Sequence, residues 1–229
     1  ILITTKRGKS GKAQVDYNFK VGFGTPTRMP EIASSYDHAR FMNEAWRNKE
    51  MDLGEDPGMY GIYNEEELQK FRDGSDPYGY PNTDWNKEVL LPRAWQQMHS
   101  LTASGGSDKV KYFAGFGYVK QDALYGDTRT NESTSGFNRY NARVNIDANI
   151  VDKYLNLSAD MAYRQEDRNS IAGSTSDVFN NMHRNPQTDP GRFPDGNLGK
   201  VSLGVNPIGL ATEGGWVKDR KSVLNTRCL

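Results

Sequence analysis

Arg139-Tyr140-Asn141-Ala142-Arg143-Val144-Asn145-Ile146-Asp147-Ala148-Asn149-Ile150 is followed, after three residues, by Tyr154-Leu155-Asn156-Leu157-Ser158-Ala159-Asp160-Met161-Ala162-Tyr163-Arg164. In the first run Tyr140, Ala142, Val144, Ile146, Ala148 and Ile150 alternate with polar residues. In the second, Leu155, Leu157, Ala159, Met161 and Tyr163 alternate with Asn156, Ser158, Asp160 and Arg164. A period of two gives each strand one apolar and one polar face. Charges line the polar row, and aromatic rings stand near both ends of the apolar rows. Strands of an outer-membrane β-barrel, with lipid on one side and a wet lumen on the other, have this pattern. Tyr140, Val144, Ile146, Leu157 and Met161 are therefore expected to face lipid, and Arg139, Asn141, Arg143, Asn145 and Asp147 the lumen.

The same alternation recurs elsewhere. Val15, Tyr17, Phe19, Val21 and Phe23 form the apolar row of a strand over 13–24. His99, Leu101 and Ala103 mark one over 97–105. Val110, Tyr112, Ala114, Phe116 and Tyr118 mark one over 109–121, and Trp216 opens another. With 135–150 and 154–166 this makes six strands. Residues 105–108 and 151–153 are tight turns, whereas 28–93, 122–134 and 167–215 are longer connections. The expected fold is all-β: a transmembrane antiparallel barrel fragment, an open curved sheet of about six strands. Long loops should leave one rim and tight turns the other, with the turns periplasmic and the loops outside. Tyr17, Tyr112 and Tyr154 fall near the turn rim, and Phe23, Tyr118, Tyr140 and Tyr163 near the loop rim.

Short helices are expected inside the loops. Ile32, Tyr36, Ala39, Met42 and Trp46 recur at helical spacing, with Pro30 near the start. Asn64 before Glu65-Glu66-Glu67 reads as a cap, and Gly74 as an exit. Asp84-Trp85 opens a third helix that ends before Pro92, and 177–184 follow Ser174-Thr175-Ser176 as a fourth.

Only 35% of the 229 residues are hydrophobic, and 29 basic residues balance 29 acidic ones; mean hydropathy is -0.80. A polar lumen and polar loops account for such values in a barrel. The charge balance provides no basic footprint for nucleic acid. No run reaches the roughly 18 apolar residues of a membrane helix. Cys228 is the single cysteine, which excludes an intrachain disulfide and a thiolate metal cluster. Ile1 to Lys6 reads as a strand already under way, and 223–229 as the start of another, so a piece of a longer protein is expected. Between them and the first strand, Arg7 to Lys12 lacks the spacing of a phosphate loop and reads as a flexible charged link.

No catalytic constellation is present. His38, His99 and His183 lack metal-ligand spacing. Asp73, Asp76 and Asp84 do not match a calcium loop and read as turn formers. Neither an enzyme nor a cofactor is expected.

Specific strings resemble the SusC/RagA family of TonB-dependent outer-membrane transporters. Ile1-Leu2-Ile3-Thr4-Thr5-Lys6-Arg7-Gly8-Lys9 resembles the end of that family's plug. Asp73-Gly74-Ser75-Asp76 with Tyr80-Pro81-Asn82-Thr83-Asp84-Trp85 resembles part of its first extracellular loop. His99 to Gly106, Val110 to Phe113, Phe137 to Asn141 and Asn145 to Asn149 resemble its early strands, and Asn206-Pro207 and 214–225 the approach to the sixth. The resemblance implies that 1–12 end a plug domain and its linker and that 13–229 begin a barrel of about 22 strands. It implies a SusD-like surface lipoprotein as partner, oligosaccharide or peptide cargo, and TonB acting through an N-terminal box that these residues do not include. Tyr60, Tyr63, Tyr78, Tyr80 and Trp85 then become candidates for contact with cargo or the lipoprotein lid, or for the small core that shapes the loop. Two rival readings are a passive porin or adhesin barrel and a soluble carbohydrate-binding β-sandwich.

Overall fold

The computed structural model describes residues 6–55, 61–151 and 154–229. In chain order the elements are β1 (Gly11–Gly24), α1 (Ser35–Asp52), α2 (Glu65–Asp73), α3 (Trp85–Val89), β2 (Ala94–Gly106), β3 (Val110–Asp122), β4 (Gly126–Asp127), β5 (Glu132–Ser133), β6 (Gly136–Val151), β7 (Leu155–Ile171), α4 (Thr175–Arg184), α5 (Pro207–Thr212) and β8 (Trp216–Cys228). Six strands form one open sheet in the order β1-β2-β3-β6-β7-β8, and β4-β5 is a separate small hairpin. Every neighbouring pair in the large sheet is antiparallel.

This meander sorts the connections by length. Residues 25–93, 123–135 and 172–215 leave one rim, while 107–109 and the β6–β7 turn leave the other. Two residues of that turn, 152 and 153, lie outside the described residues. The expected separation of long loops from tight turns therefore holds.

The loops carry the buried core. Trp85, Val89, Tyr125, Ile171, Val178, Met182, Val201, Ile208 and Ala211 form one apolar cluster, with contributions from all three loop-side connections. Polar ties cross-link the same segments. Thr83 Oγ1 donates to the Asp189 carbonyl at 2.6 Å and accepts from Gly191 N at 3.1 Å. Trp85 Nε1 donates to the Pro186 carbonyl at 3.2 Å. Burying such groups is favourable only because each finds a partner. A second, smaller cluster joins Ala39, Leu68 and Phe71, with Tyr36, Tyr63 and Tyr80 packed against it.

Local sequence explains the helices. Asn64 and Glu67 form a reciprocal capping box at the start of α2, and Gly74 ends it in the left-handed conformation, at φ 66. Asp84 caps α3, Ser174 caps α4, and Asn206 with proline in the first turn starts α5. The last of these helices and the β4-β5 hairpin were not expected. Helix α1 begins at Ser35, capped by Ser34, so Pro30 and Ile32 precede it. Its buried residues are Ser35, Ala39 and Asn43, one four-residue repeat, which leaves Met42 on the exposed side. Asn43 fixes that choice: its amide donates to the Tyr63 carbonyl at 2.7 Å and accepts from Tyr63 N at 2.8 Å.

Candidate functional site

The sheet has two chemically different faces, and its register holds each together across the strands. On the polar face, Asn145 donates to Asp160, Arg143 Nε donates to Asn145 Oδ1 at 2.9 Å, and Ser158 Oγ donates to Asp147 Oδ1 at 2.7 Å. Asn145 is only 1% exposed. Arg139 and Asn141 share this face by alternation, opposite Val119 and Gly117 of β3.

Onto this face comes the segment before β1. Arg7 donates to Asp147 and reaches Asp160 at 3.4 Å. Gly8 lies flush on β3: a Cβ there would stand 2.4 Å from the Tyr112 carbonyl oxygen, so only glycine fits without displacing backbone. Ser10 adds a bond to the Ser107 carbonyl at 3.3 Å. The expected flexible link is instead laid along the polar wall. No local signal announces this, because the carboxylates that hold Arg7 lie far along the chain. Residues 1–5, the other part of the string that resembles a plug end, lie outside the described residues.

The opposite face carries the apolar rows. Tyr17, Leu101, Phe116, Ala142, Tyr163 and Leu224 lie in one register row across all six strands. Tyr140, Val144, Ile146, Leu157 and Met161, expected to face lipid, all belong to this face. Ile146, Leu157 and Met161 are exposed, and Tyr140 and Val144 are half-buried. Aromatic rings touch along it: Phe23 with Trp95 at 5.6 Å, Phe19 with His99 at 4.7 Å, His99 with Tyr118 at 5.9 Å and Tyr118 with Tyr140 at 5.0 Å. His99 is satisfied within this row by the Tyr17 hydroxyl at 2.7 Å, which gives it a structural role.

On this face of β1, β2, β3, β6 and β7 the aromatic residue nearest the loop rim is Phe23, Trp95, Tyr118, Tyr140 and Tyr163; on β8 it is Trp216, eight residues loopward of the Tyr163 row and outside the series. These do not follow one hydrogen-bonded row. Phe23 pairs with Trp95 and Tyr118 with Tyr140, whereas the row of Tyr163 meets β1 at Tyr17, six residues below Phe23. At roughly 3.3 Å per residue and about 4.8 Å between strands, the drop is about 20 Å over four strand spacings, a stair inclined at about 45° to the rows. Loopward of it the same face carries Arg93, Lys120, Asn138, Gln165 and Arg220, and at the end of β7 and the start of β8 the apolar pair Ile171 and Trp216.

The loop aromatics separate. Trp85 is 0% exposed at the centre of the main loop core, so the expectation of cargo or lid contact is corrected: its indole is consumed by packing and by the Pro186 carbonyl. Tyr63 and Tyr80 both pack edge-on against Phe71, at 5.5 and 5.1 Å, and support the smaller core. Tyr78 is exposed and stacks on Phe193 at 5.6 Å, with the planes 14° apart. Tyr60 lies outside the described residues. The nearby aspartates act as turn formers: Asp73 accepts from Ser75 N, Asp76 from Gly79 N, and Asp84 from Lys87 N. Among the described residues no group of three or more His, Cys, Asp or Glu is placed to hold a metal, and no helix is long and apolar enough to cross a membrane. At the β4-β5 hairpin, hydrogen bonds from Arg129 pull the Asp127 carboxyl down to about 2.

The chain is 25% identical over 160 residues to the TonB-dependent receptor SusC of Bacteroides thetaiotaomicron, a match covering 69% of this chain and 13% of that protein. It is 25% identical over 158 residues to the TonB-dependent receptor P26 of Formosa agariphila, covering 67% of this chain and 13% of the relative. These relatives are receptors by name, not enzymes. A solved structure of the RagAB peptide transporter superposes with a TM-score of 0.50 and 21% identity, over 72% of this chain and 19% of that one; that likeness concerns the fold. No protein-family model matches the chain. The matches thus span about one eighth of the curated relatives' length.

Proposed function

We propose that this chain, a stretch of a SusC/RagA-type TonB-dependent transporter, forms part of the membrane wall and outer loops of a nutrient importer in the outer membrane of a Gram-negative bacterium. The observation that carries the reading is the aromatic stair. Barrel strands cross a bilayer tilted by roughly 35–45°, and aromatic residues mark both interfaces. A horizontal membrane boundary must therefore cut obliquely across hydrogen-bonded rows. The stair from Phe23 to Tyr163, over β1, β2, β3, β6 and β7, has that inclination. A soluble sandwich places no such demand on its aromatics.

In this reading Tyr140, Val144, Ile146, Leu157 and Met161 face lipid. Arg139, Asn141, Arg143, Asn145 and Asp147 face the lumen, where Asp147 holds the segment that enters from the plug. Residues 1–12 end the plug and its linker, and 13–229 begin the barrel. The long loops lie outside the cell, where a SusD-like lipoprotein closes over them. Cargo is an oligosaccharide or a peptide, and TonB supplies energy through another part of the transporter. Residues of this chain contribute a wall, an anchor and loops, not bond-making chemistry.

The orientation is tested in cells that express the complete transporter with every native cysteine, Cys228 included, replaced by serine. Single cysteines at Ser75, in the loops, and Ser107, at the turns, are treated with a membrane-impermeant maleimide. Labelling of Ser75→Cys but not Ser107→Cys on intact cells is expected. Equal labelling, or the reverse, would refute the assignment.

A further inference from the structure

The loop cluster contains a cleft of about 370 Å³ between three segments distant in sequence. Pro77, Pro81 and Pro194 stiffen its walls, and Glu88, Arg129 and Arg192 place charge in it. Two features set Arg192 apart. Its side chain is only 10% exposed, and its Nη2 has no hydrogen-bond partner among the described residues. Nη1 is anchored on the Gly196 carbonyl at 2.6 Å, so the guanidinium is held in place. Glu213 approaches Nη2 to 3.6 Å, outside hydrogen-bond distance. Nη2 is thus ion-paired without a hydrogen bond, and the guanidinium lines the cleft with bonding capacity to spare.

Arg129 stands across the cleft. Its Nε and Nη2 fork onto Asp127 at 3.0 and 2.8 Å, which fixes the plane and leaves Nη1 available. Glu88 completes the site. Burial pushes its carboxyl above the usual range, against the opposing pull of Arg192. Its protonated form, reached at a higher pH than for an exposed glutamate, is a donor and not a competing anion.

We propose that this cleft binds a carboxylate group of the transported cargo. A planar guanidinium edge matches a carboxylate. Asp127 balances Arg129 and Glu213 stands beside Arg192, so the site suits a single negative charge better than a doubly charged phosphate. The stacked Tyr78–Phe193 pair beside the cleft presents apolar surface for the part of the ligand next to its acid. That the carboxylate belongs to cargo rests on the importer reading; that the cleft binds one does not.

The groups that set the pH response are Asp84 on the same helix as Glu88, Arg192 and Arg129 across the cleft, and Asp127 and Glu213 behind them. Burial raises Glu88, so acidification neutralises it before an exposed glutamate and binding tightens as pH falls. Once the ligand's own acid is protonated, binding weakens.

The test is calorimetry on the complete purified transporter. Glucuronate is compared with glucose, and acetyl-Ala-Ala with its amide, which separates a uronic-acid source from a peptide C-terminus. Binding of either acid with at least about tenfold preference over its neutral counterpart is expected. Arg192→Gln should abolish that preference. Because this change also removes the Gly196 bond, Arg129→Gln and Glu88→Gln serve as independent variants. Arg129→Gln should weaken the acid about threefold, and Glu88→Gln should tighten it at pH 7.5 and flatten the pH profile. Equal binding of acid and neutral probes, or no effect of Arg129→Gln and Glu88→Gln, would overturn the proposal. Binding by the purified protein without uptake by cells would uphold the cleft and refute the importer reading.

Discussion

Arg7 and Asp147, 140 residues apart in sequence, are joined by an ion pair on the polar face of the sheet. Asp160 stands behind as a second carboxylate at 3.4 Å, and Gly8 seats the backbone against β3. Charge and close packing thus fix the same two residues. The segment that precedes β1 is attached to the sheet before the first strand begins.

Removing the carboxylates should free that segment. In the complete transporter, Asp147→Asn with Asp160→Asn is expected to raise trypsin cleavage at Lys6, Arg7 and Lys9 several-fold, because proteolysis follows local opening. Gly8→Val should do the same by sterics alone, with both carboxylates intact. Unchanged cleavage in both variants would show that the attachment has no hold on the segment.

Trp85 anchors the loop-side core, so its truncation should loosen all three connections at once. Trp85→Ala is expected to cost the loop core about 3–5 kcal/mol. Hydrogen exchange should accelerate in 123–127, 178–185 and 206–212 as well as around position 85, while β3 and β6 keep their protection. Acceleration confined to 83–91 would contradict a shared core.

The capping box of α2 makes a smaller, local prediction. Asn64→Ala removes the acceptor for Glu67 N, at 3.0 Å, and should destabilise the first turn by about 1 kcal/mol. Faster amide exchange at Glu67 with little change in α1 is the expected reading.

Asp127 gives a pH prediction. Its folded value lies near 2, below the ordinary 3.8, chiefly through hydrogen bonds from Arg129. A carboxyl depressed on folding stabilises the folded form above its unfolded pKa and loses that contribution as pH falls through the folded value. The hairpin should therefore keep its amide protection down to about pH 4 and lose part of it between 4 and 2. Asp127→Asn should remove this acid dependence.

The strands were legible because alternation is local: each apolar row in β1, β3, β6 and β7 is visible within a dozen residues. The helix caps at Asn64, Asp84 and Ser174 were legible for the same reason. Helix α5 was readable in principle, since Asn206-Pro207 is a cap followed by proline. What escaped the sequence is long-range. Thr83 bonds Asp189 across 106 residues, one of the ties of the shared core that buries Trp85, a residue for which sequence alone left cargo or lid contact and loop support both open. The arginines of the cleft come from segments with no shared motif, and Arg7 finds its carboxylates only after β6 and β7 have folded. Helix α1 misled because Met42 and Trp46 fit the spacing as well as Asn43 does, while the hydrogen-bonding capacity of Asn43 decides which side is buried.

The central claim is that one face of this sheet meets lipid. Single cysteines placed at 144, 145, 146, 147 and 161 of the complete transporter, in a background from which every native cysteine has been removed, carry a fluorophore and are reconstituted with brominated lipid. Strong quenching at 144, 146 and 161 with little at 145 and 147 is the result expected. Uniform quenching, none at any position, or stronger quenching at 145 and 147 would contradict the account.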